Sequence, residues 1–364
     1  MTSPEISAFL QERIDANDFP SAVYLVAEKG EILFQDALGF AVVEPLEIEA
    51  RLDTIYDLAS LTKPLIIGFL VAAMVDAGEL RLDDPLSDIL DVPRDKRGIT
   101  VRDLLTHTSR LPAWLPFYLR VGEQSAILNE ILNTPLVDGP AHVIYSDLNF
   151  LLLAEIATRI LGRPLDRLAA EYIFEPLQLK DTFYNPPEAV RLRTAASENG
   201  NAYERQTCIE LGYLPDPQTF RDYRIWGQVH DGNAWFMGGV SGHAGLFSTA
   251  EETFKIAQQF LEGHRRLLSI TRRREFSTNF TSGMNEHRSL AFQLASTPNS
   301  TAGSLMSREA FGHLGFTGTS LWIDPVTERV FILLTNRTHA HSLPFANINS
   351  VRRRFHDLAN ELLY

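Results

Sequence analysis

Asp57-Leu58-Ala59-Ser60-Leu61-Thr62-Lys63-Pro64 opens a long apolar run. Ser60 stands three residues before Lys63. If the run is helical, that step is close to one turn and both side chains share a face. A serine hydroxyl is a poor nucleophile at neutral pH, and a desolvated lysine amine beside it can take its proton. A helix start also points backbone N–H groups outward, which suits an oxyanion forming on an attacked carbonyl. Pro64 fits only in the first turn, where its missing N–H costs little, so it places Ser60 near the helix N-terminus. Ile66, Phe69, Leu70, Ala73 and Met74 then share one face, widened by Leu65 and Val71, and Gly78 ends the pattern. Such broad apolar coverage predicts a central helix. This Ser-x-x-Lys is the only one in the chain. Its plainer reading is a capping serine and a snorkelling lysine.

On the N-terminal side, Ser3 and Pro4 read as a helix start followed by Ile6, Phe9, Leu10 and Ile14. Ala22–Ala27 and Ile32–Phe34 flank Lys29-Gly30-Glu31 and read as an antiparallel hairpin. Residues 80–240 are mostly helical patterns and loops. Thr100 with Asp103 opens a short helix, and Leu148 to Leu161 is a buried-looking one stopped by Gly162 and Pro164. Pro186 to Trp235 lacks periodicity and reads as long loops framing a site. Thr249 with Glu252 opens a helix to about Glu262. Thr319–Ile323 and Arg329–Leu334 flank a turn and return to β structure. Val351, Phe355, Leu358 and Leu362 stripe a last helix. The expectation is a multi-domain α+β architecture. Residues 1–75 and 290–364 form one discontinuous antiparallel sheet domain with terminal helices, residues 76–289 a mainly helical insertion, and the active site lies at their junction.

The 364 residues are 45% hydrophobic, enough for an ample core, and carry a formal charge of −13. That balance argues against nucleic acid, and no basic amphipathic stretch suggests a membrane surface. One cysteine, Cys208, excludes an internal disulfide framework, and no Cys/His spacing resembles a zinc site. No uninterrupted apolar run approaches membrane-spanning length, and Met1-Thr2-Ser3-Pro4-Glu5-Ile6 lacks a basic region before an apolar stretch. A cytoplasmic protein acting on a small molecule, without metal or organic cofactor, is expected. Composition says nothing of oligomeric state.

Two further stretches carry chemistry. Tyr145-Ser146-Asp147-Leu148-Asn149 precedes a helix, and a tyrosine hydroxyl near a lysine ammonium can act as a base. Its plainer reading is a capping Ser146 or Asp147 with Tyr145 as packing. Gly312-His313-Leu314-Gly315-Phe316-Thr317-Gly318-Thr319 leads into a strand along which a substrate can bond to the main chain. The plainer reading there is a glycine-rich turn. His339 and His341 in a polar loop could bind a metal but are more simply unliganded; His230-Asp231-Gly232-Asn233 reads as a loop near the site or, slightly favoured, a plain turn; Trp114, Phe117 and Tyr118 read as the wall of an apolar pocket or, more simply, as core packing. Arg337 follows the last strand, where an anionic substrate can meet it. No Gly-x-Ser-x-Gly elbow occurs, which disfavours an α/β-hydrolase.

Together these residues resemble the serine β-lactamase and penicillin-binding superfamily, specifically the class C β-lactamase-related serine hydrolases with their esterase and D-aminopeptidase relatives. The resemblance covers most of the chain and includes Asp103–Ser109 and Gly238–Thr249. It implies Ser60 as nucleophile, Lys63 as its activator and Tyr145 as proton shuttle to the leaving group. It implies an oxyanion hole from the Ser60 and Phe316 N–H groups, and substrate contacts at Asp147, His313 and Gly315. Asp147 stands where many relatives have Asn, His313 where they have Lys, Leu314 where they have a hydroxyl residue, and Arg110 where they have Gly. The first three weaken the case for an efficient β-lactamase and leave acyl transfer intact. The expected function is ester or amide hydrolysis through an acyl-serine, esters ranking before D-peptides and β-lactams. The alternative is an inactive descendant that binds peptides or a protein partner.

Overall fold

Both ends of the chain meet in one antiparallel sheet. The computed structural model describes residues 1–140, 142–262 and 267–363. Helix α1 (Pro4–Asp15) starts where Ser3 Oγ accepts the Ile6 N–H and Pro4 fills the first helical position. Strands β1 (Ser21–Glu28) and β2 (Glu31–Val42) form the expected hairpin, and β3 (Ile48–Glu49) pairs with β2. The C-terminal part adds β4 (Gln293–Leu294), β5 (Phe311–Leu314), β6 (Ser320–Asp324) and β7 (Arg329–Thr335). The order is β3-β2-β1-β7-β6-β5-β4. The seam between the chain ends is the β1–β7 ladder, from Ala22 opposite Thr335 to Glu28 opposite Arg329.

Side chains alternate across that sheet with period two. Tyr24, Val26, Trp322, Phe331 and Leu333 face one side, where α1 and the last helix bring Ile6, Leu10 and Phe355. Val23, Leu25, Leu321, Ile323, Ile332 and Leu334 face the other, against the apolar run after Ser60. Covered on both faces, the sheet is the middle layer.

The run after Ser60 is not one regular helix. Ala59–Leu61 is a tight 3₁₀ turn, Lys63–Gly68 is wound in wider π turns, and only Phe69–Ala77 (α2) is α-helical. Pro64 lies inside the π stretch and has no N–H to donate, so the ladder begun upstream at Ala59 lacks a bond there. Gly78 closes α2 in the left-handed region at φ 76°. By length and composition Ala59–Ala77 is long and apolar enough to cross a bilayer, which corrects the expectation that no apolar run reaches that length. Its 18-residue apolar window is 78% buried inside the fold, as for a core helix.

Helix α3 (Val101–Leu105) carries the full capping box, with Thr100 Oγ1 accepting the Asp103 N–H and Asp103 accepting the Thr100 N–H. Helix α4 (Asp147–Leu161) ends at Gly162 in the left-handed conformation. Between Pro186 and Trp235 the expected long loops are instead helix α5 (Ala202–Glu210) and a short strand pair, Ala196–Asn199 with Arg224–Trp226. These strands are too short to show a period, and the exposed Ile209 and Leu211 at the end of α5 blur its amphipathic pattern. Helix α6 (Ala250–Ala257) stops short of Glu262 and ends in a 3₁₀ turn at Phe260. Its Glu252 carboxylate leaves the cap and accepts from Lys180 N, Asp181 N and Thr182 Oγ1. Helix α7 (Asn349–Glu361) closes the chain.

Candidate active site

Three elements build the corner at Ser60. Buried Asp57 accepts the Ala59 N–H at 2.9 Å, holding Ala59 at φ +47°, a strained value for a residue with a Cβ. Thr317 Oγ1 donates to Asp57 O and Thr319 Oγ1 to Leu58 O, tying the turn before Ser60 to the segment after β5. Gly315 makes that approach possible, since a Cβ there would lie 2.0 Å from Thr319 Oγ1 and 2.6 Å from Leu58 O. Phe316 follows at once and lines the same cavity as Ser60.

Lys63 is fully buried, and its Nζ donates to three acceptors: Asp147 Oδ1 at 2.7 Å, Ser60 Oγ at 2.9 Å and His243 O at 3.0 Å. Burial pulls the ammonium's pKa down. Asp147 and then Tyr145 more than offset this, so the pKa stands above its ordinary value. Lys63 is therefore an ammonium at neutral pH, not the free amine expected from desolvation alone. It can stabilise negative charge growing on Ser60 Oγ. Asp147, expected to contact substrate, gives one carboxylate oxygen to Lys63.

The Lys63 ammonium lies 5.0 Å from the Tyr145 ring centroid, and the Arg288 guanidinium 5.4 Å. Tyr145 Oη approaches His313 Nε2 at 3.5 Å. His313 Nδ1 donates to Leu314 O at 2.9 Å, which fixes the proton there and leaves the Nε2 lone pair toward the phenol. Burial first, then Lys63 and Arg288, hold the His313 pKa well below its ordinary value. The ring is neutral at pH 7, so it is no cationic anchor for a substrate carboxylate; it orients Tyr145 instead.

Ser60, Tyr145, Asp147, His313, Gly315 and Phe316 all line one cavity of about 580 Å³. Further residues complete its walls, of which sequence reasoning had singled out Arg337 and His230-Asp231 and passed over Arg288, Arg352 and Glu204. Arg288, Arg337 and Arg352 line it along with Glu204, His230 and Asp231. His230-Asp231, read as a plain turn, caps the short helix Gly232–Phe236 through Asp231 Oδ1, and His230 Nε2 lies 2.7 Å from Glu198. Asp231 Oδ1 also meets His243 Nε2 at 2.9 Å, and His243 Nδ1 meets Ser241 Oγ at 2.7 Å. Burial raises the Asp231 pKa, but His243 outweighs it and holds the carboxyl well below the usual range. Glu204, buried beside Asp231, is pushed up to about 7. Trp114, read as core, lines the cavity, and Phe117 is core. His339 and His341 serve the fold: His339 accepts the Val43 N–H, and His341 bonds to His339 O and Asn17 O.

Donor atoms of Asp147, Asp231 and His243 lie within 4.8 Å of one another, a spacing that suits a metal ion. The Lys63 ammonium already holds the cationic position beside Asp147, and His243 Nε2 is spent on Asp231.

The family model described as Beta-lactamase matches residues 6–352. This chain belongs to the beta-lactamase family. Among curated proteins of the family, one from Escherichia coli (strain K12) named "Putative D-alanyl-D-alanine carboxypeptidase" is 32% identical over 384 residues, covering 93% of this chain and 86% of that protein. A protein of the same name from Salmonella typhi is 33% identical over 381 residues, covering 94% and 83%. Among solved structures, the class C beta lactamase from Rhodobacter sphaeroides superposes with TM-score 0.74 at 19% identity, covering 100% of both chains. The octameric penicillin-binding protein homologue from Pyrococcus abyssi gives 0.74 at 18%, covering 100% of this chain and 78% of that one. EstCE1, a hydrolase with promiscuous acyltransferase activity, gives 0.72 at 19%, covering 96% and 97%. These show the class C β-lactamase fold.

The beta-lactamase family's two landmark stretches now have physical roles in this chain. In Asp103–Ser109, Thr108 Oγ1 donates to Asp103, and Ser109 Oγ to Asn149 Oδ1 on α4. Arg110, at the family's glycine position, has φ +67°, the region in which glycine is least strained. In Gly238–Thr249, a Cβ at Gly242 would lie 2.2 Å from Phe150 O, so only glycine lets the loop settle on α4 and carry His243 O to Lys63.

Proposed function

We propose that this beta-lactamase-family hydrolase is a serine D-peptidase, cleaving an amide whose leaving group carries a free carboxylate. One observation supports this reading above all: three guanidinium side chains line the cavity that holds Ser60 and Tyr145. Arg288 stands nearest Tyr145; its Nη2 bonds to Glu286, and its buried Nε has no partner among the described residues. A short peptide ending in D-alanine matches that charge, and relatives about one-third identical carry the carboxypeptidase name. D-peptides thus move ahead of esters in the substrate ranking.

Ser60 Oγ attacks the carbonyl carbon. Tyr145 Oη takes the serine proton and passes its own to the departing nitrogen, so no net proton is gained or lost. The Lys63 ammonium stabilises the serine oxygen, and the Ser60 and Phe316 N–H groups receive the oxyanion. Water then attacks the acyl-serine along the same relay, and Ser60 leaves with the proton.

The test is release of D-alanine from a short peptide ending in D-alanyl-D-alanine, compared with the same peptide as its C-terminal amide. The free acid should turn over at least about 10-fold faster, and Ser60→Ala should remove both activities. Equal rates on acid and amide, or hydrolysis confined to nitrophenyl esters, would sink the reading. Failure of a fluorophosphonate to label Ser60 would favour the binding-only alternative.

A further inference from the structure

His107 belongs to the landmark Thr106-His107-Thr108-Ser109, and the chemistry above leaves it unused. It is fully buried, at φ +60°. Its carbonyl accepts the Ile144 N–H at 2.9 Å, and its Nδ1 accepts the Ser146 N–H at 2.9 Å. These two bonds straddle Tyr145. The ring itself lies against the Tyr145 ring, centroids 4.7 Å apart, with Phe150 behind it at 5.2 Å.

Because Nδ1 accepts, the neutral ring carries its proton on Nε2. That atom is buried and has no hydrogen-bond partner among the described residues. An unpaired buried N–H is unfavourable, and a phenyl ring would pack in the same place without it. What phenyl cannot do is accept the Ser146 N–H. The acceptor is therefore what the position needs. Burial, then the charges of Arg288 and Lys63, keep the ring neutral and the acceptor available.

We propose that His107 is a positioning residue for Tyr145: its Nδ1 and its ring fix the phenol beside His313 in the cavity that also holds Ser60. This rests on Tyr145 carrying the proton in the reading above. Tyr145 is the half-buried tip of an irregular segment with no ladder of its own; His313 meets its hydroxyl, and His107 holds the backbone on both sides of it.

The experiment compares His107→Phe, which keeps the ring and loses the acceptor, with His107→Asn, whose Oδ1 can replace Nδ1, each with and without Tyr145→Phe. The readouts are kcat and KM for D-alanine release and thermal midpoints. His107→Phe should lower kcat about 10- to 100-fold with KM within about 2-fold. His107→Asn should recover most of that loss. In the Tyr145→Phe background, His107→Phe should change little, because its target is gone. The proposal is overturned if His107→Phe keeps full kcat, or if it costs the same factor with and without the Tyr145 hydroxyl. Should the Phe variant fail to fold, His107→Gln serves in its place: a longer amide moves the acceptor, so activity equal to that of His107→Asn also overturns the proposal. A Tyr145→Phe enzyme as active as the parent would instead sink the proton-shuttle reading, whatever His107 does.

Discussion

Asp147 shows how one side chain changes meaning when its neighbours are known. As a sequence position it stands where an amide is usual, and it reads as a poor substrate contact. In the fold it is the counter-ion of Lys63. Asp147→Asn should let burial dominate, so Lys63 loses its proton at lower pH and the alkaline limb of the kcat/KM profile moves down; an unmoved limb would refute this. The stability sign follows from the same pair. A lysine whose folded pKa is raised contributes stability that is complete below about 10.5 and lost as pH rises through the folded value. At pH 7 the variant should therefore lose about 1–3 kcal/mol, below the fully buried range because Asp147 is partly exposed. Glu204 gives a slope of the same sign in a lower pH window. Burial and then Asp231 raise its pKa from 4.5 to about 7, so the native state holds a proton that the unfolded chain has lost. Stability should fall as pH rises from about 5 to 7. Glu204→Gln should flatten that slope in thermal midpoints; an unchanged slope would assign it to another group. Ser60 and Lys63 were legible because one turn of helix relates them. Glu204 and Arg288 were not: no local motif marks either one, and Glu204 meets Tyr118 and Gly232, 86 and 28 residues away.

At the level of elements, the site depends on how closely β5 and its following turn approach the run that begins at Ser60. Strand, helix and cap signals were readable in Ser3-Pro4, in the hairpin around Gly30, in Thr100–Asp103 and in the stop at Gly162, since each is a local rule of backbone chemistry. The π turns after Lys63 were not readable, because they answer both Pro64 and the packing of Gly68 against Ala291. Helix α5 escaped notice because its surface mixes apolar Tyr203 and Ile209 with the buried Glu204 that faces the cavity. The glycine-rich stretch Gly312–Gly318 was read as room for a ligand; the geometry shows that Gly315 first makes room for Leu58 O and Thr319. Gly315→Ala must push the turn after β5 away from the nucleophile corner. It should lower kcat about 100-fold, the usual effect of a displacement near 1 Å, and destabilise by about 1–3 kcal/mol. A Gly315→Ala enzyme with parental kcat would show that this contact does not set the oxyanion geometry.

Across the whole molecule, the candidate catalytic groups come from both layers that meet at the cavity. Ser60 and His313 belong to segments packed on or within the sheet, whereas Tyr145, Asp147 and the His243 carbonyl come from the mainly helical region. Lys63 bonds to Ser60, Asp147 and His243 at once, so the two parts share a buried charge network as well as apolar contact. The sheet itself needs both chain ends, because β1 pairs along its length with β7. Neither part can melt first without exposing the Lys63 ammonium or the seam. The chain should therefore unfold in one cooperative step despite its length. Circular dichroism, tryptophan fluorescence and the anisotropy of a fluorescent fluorophosphonate on Ser60 should give thermal midpoints within about 2 °C of one another, coincidence of probes being the mark of a two-state transition. If the Ser60 label becomes mobile well before the helical signal falls, the shared network does not couple the layers, and the active site is a seam that opens independently.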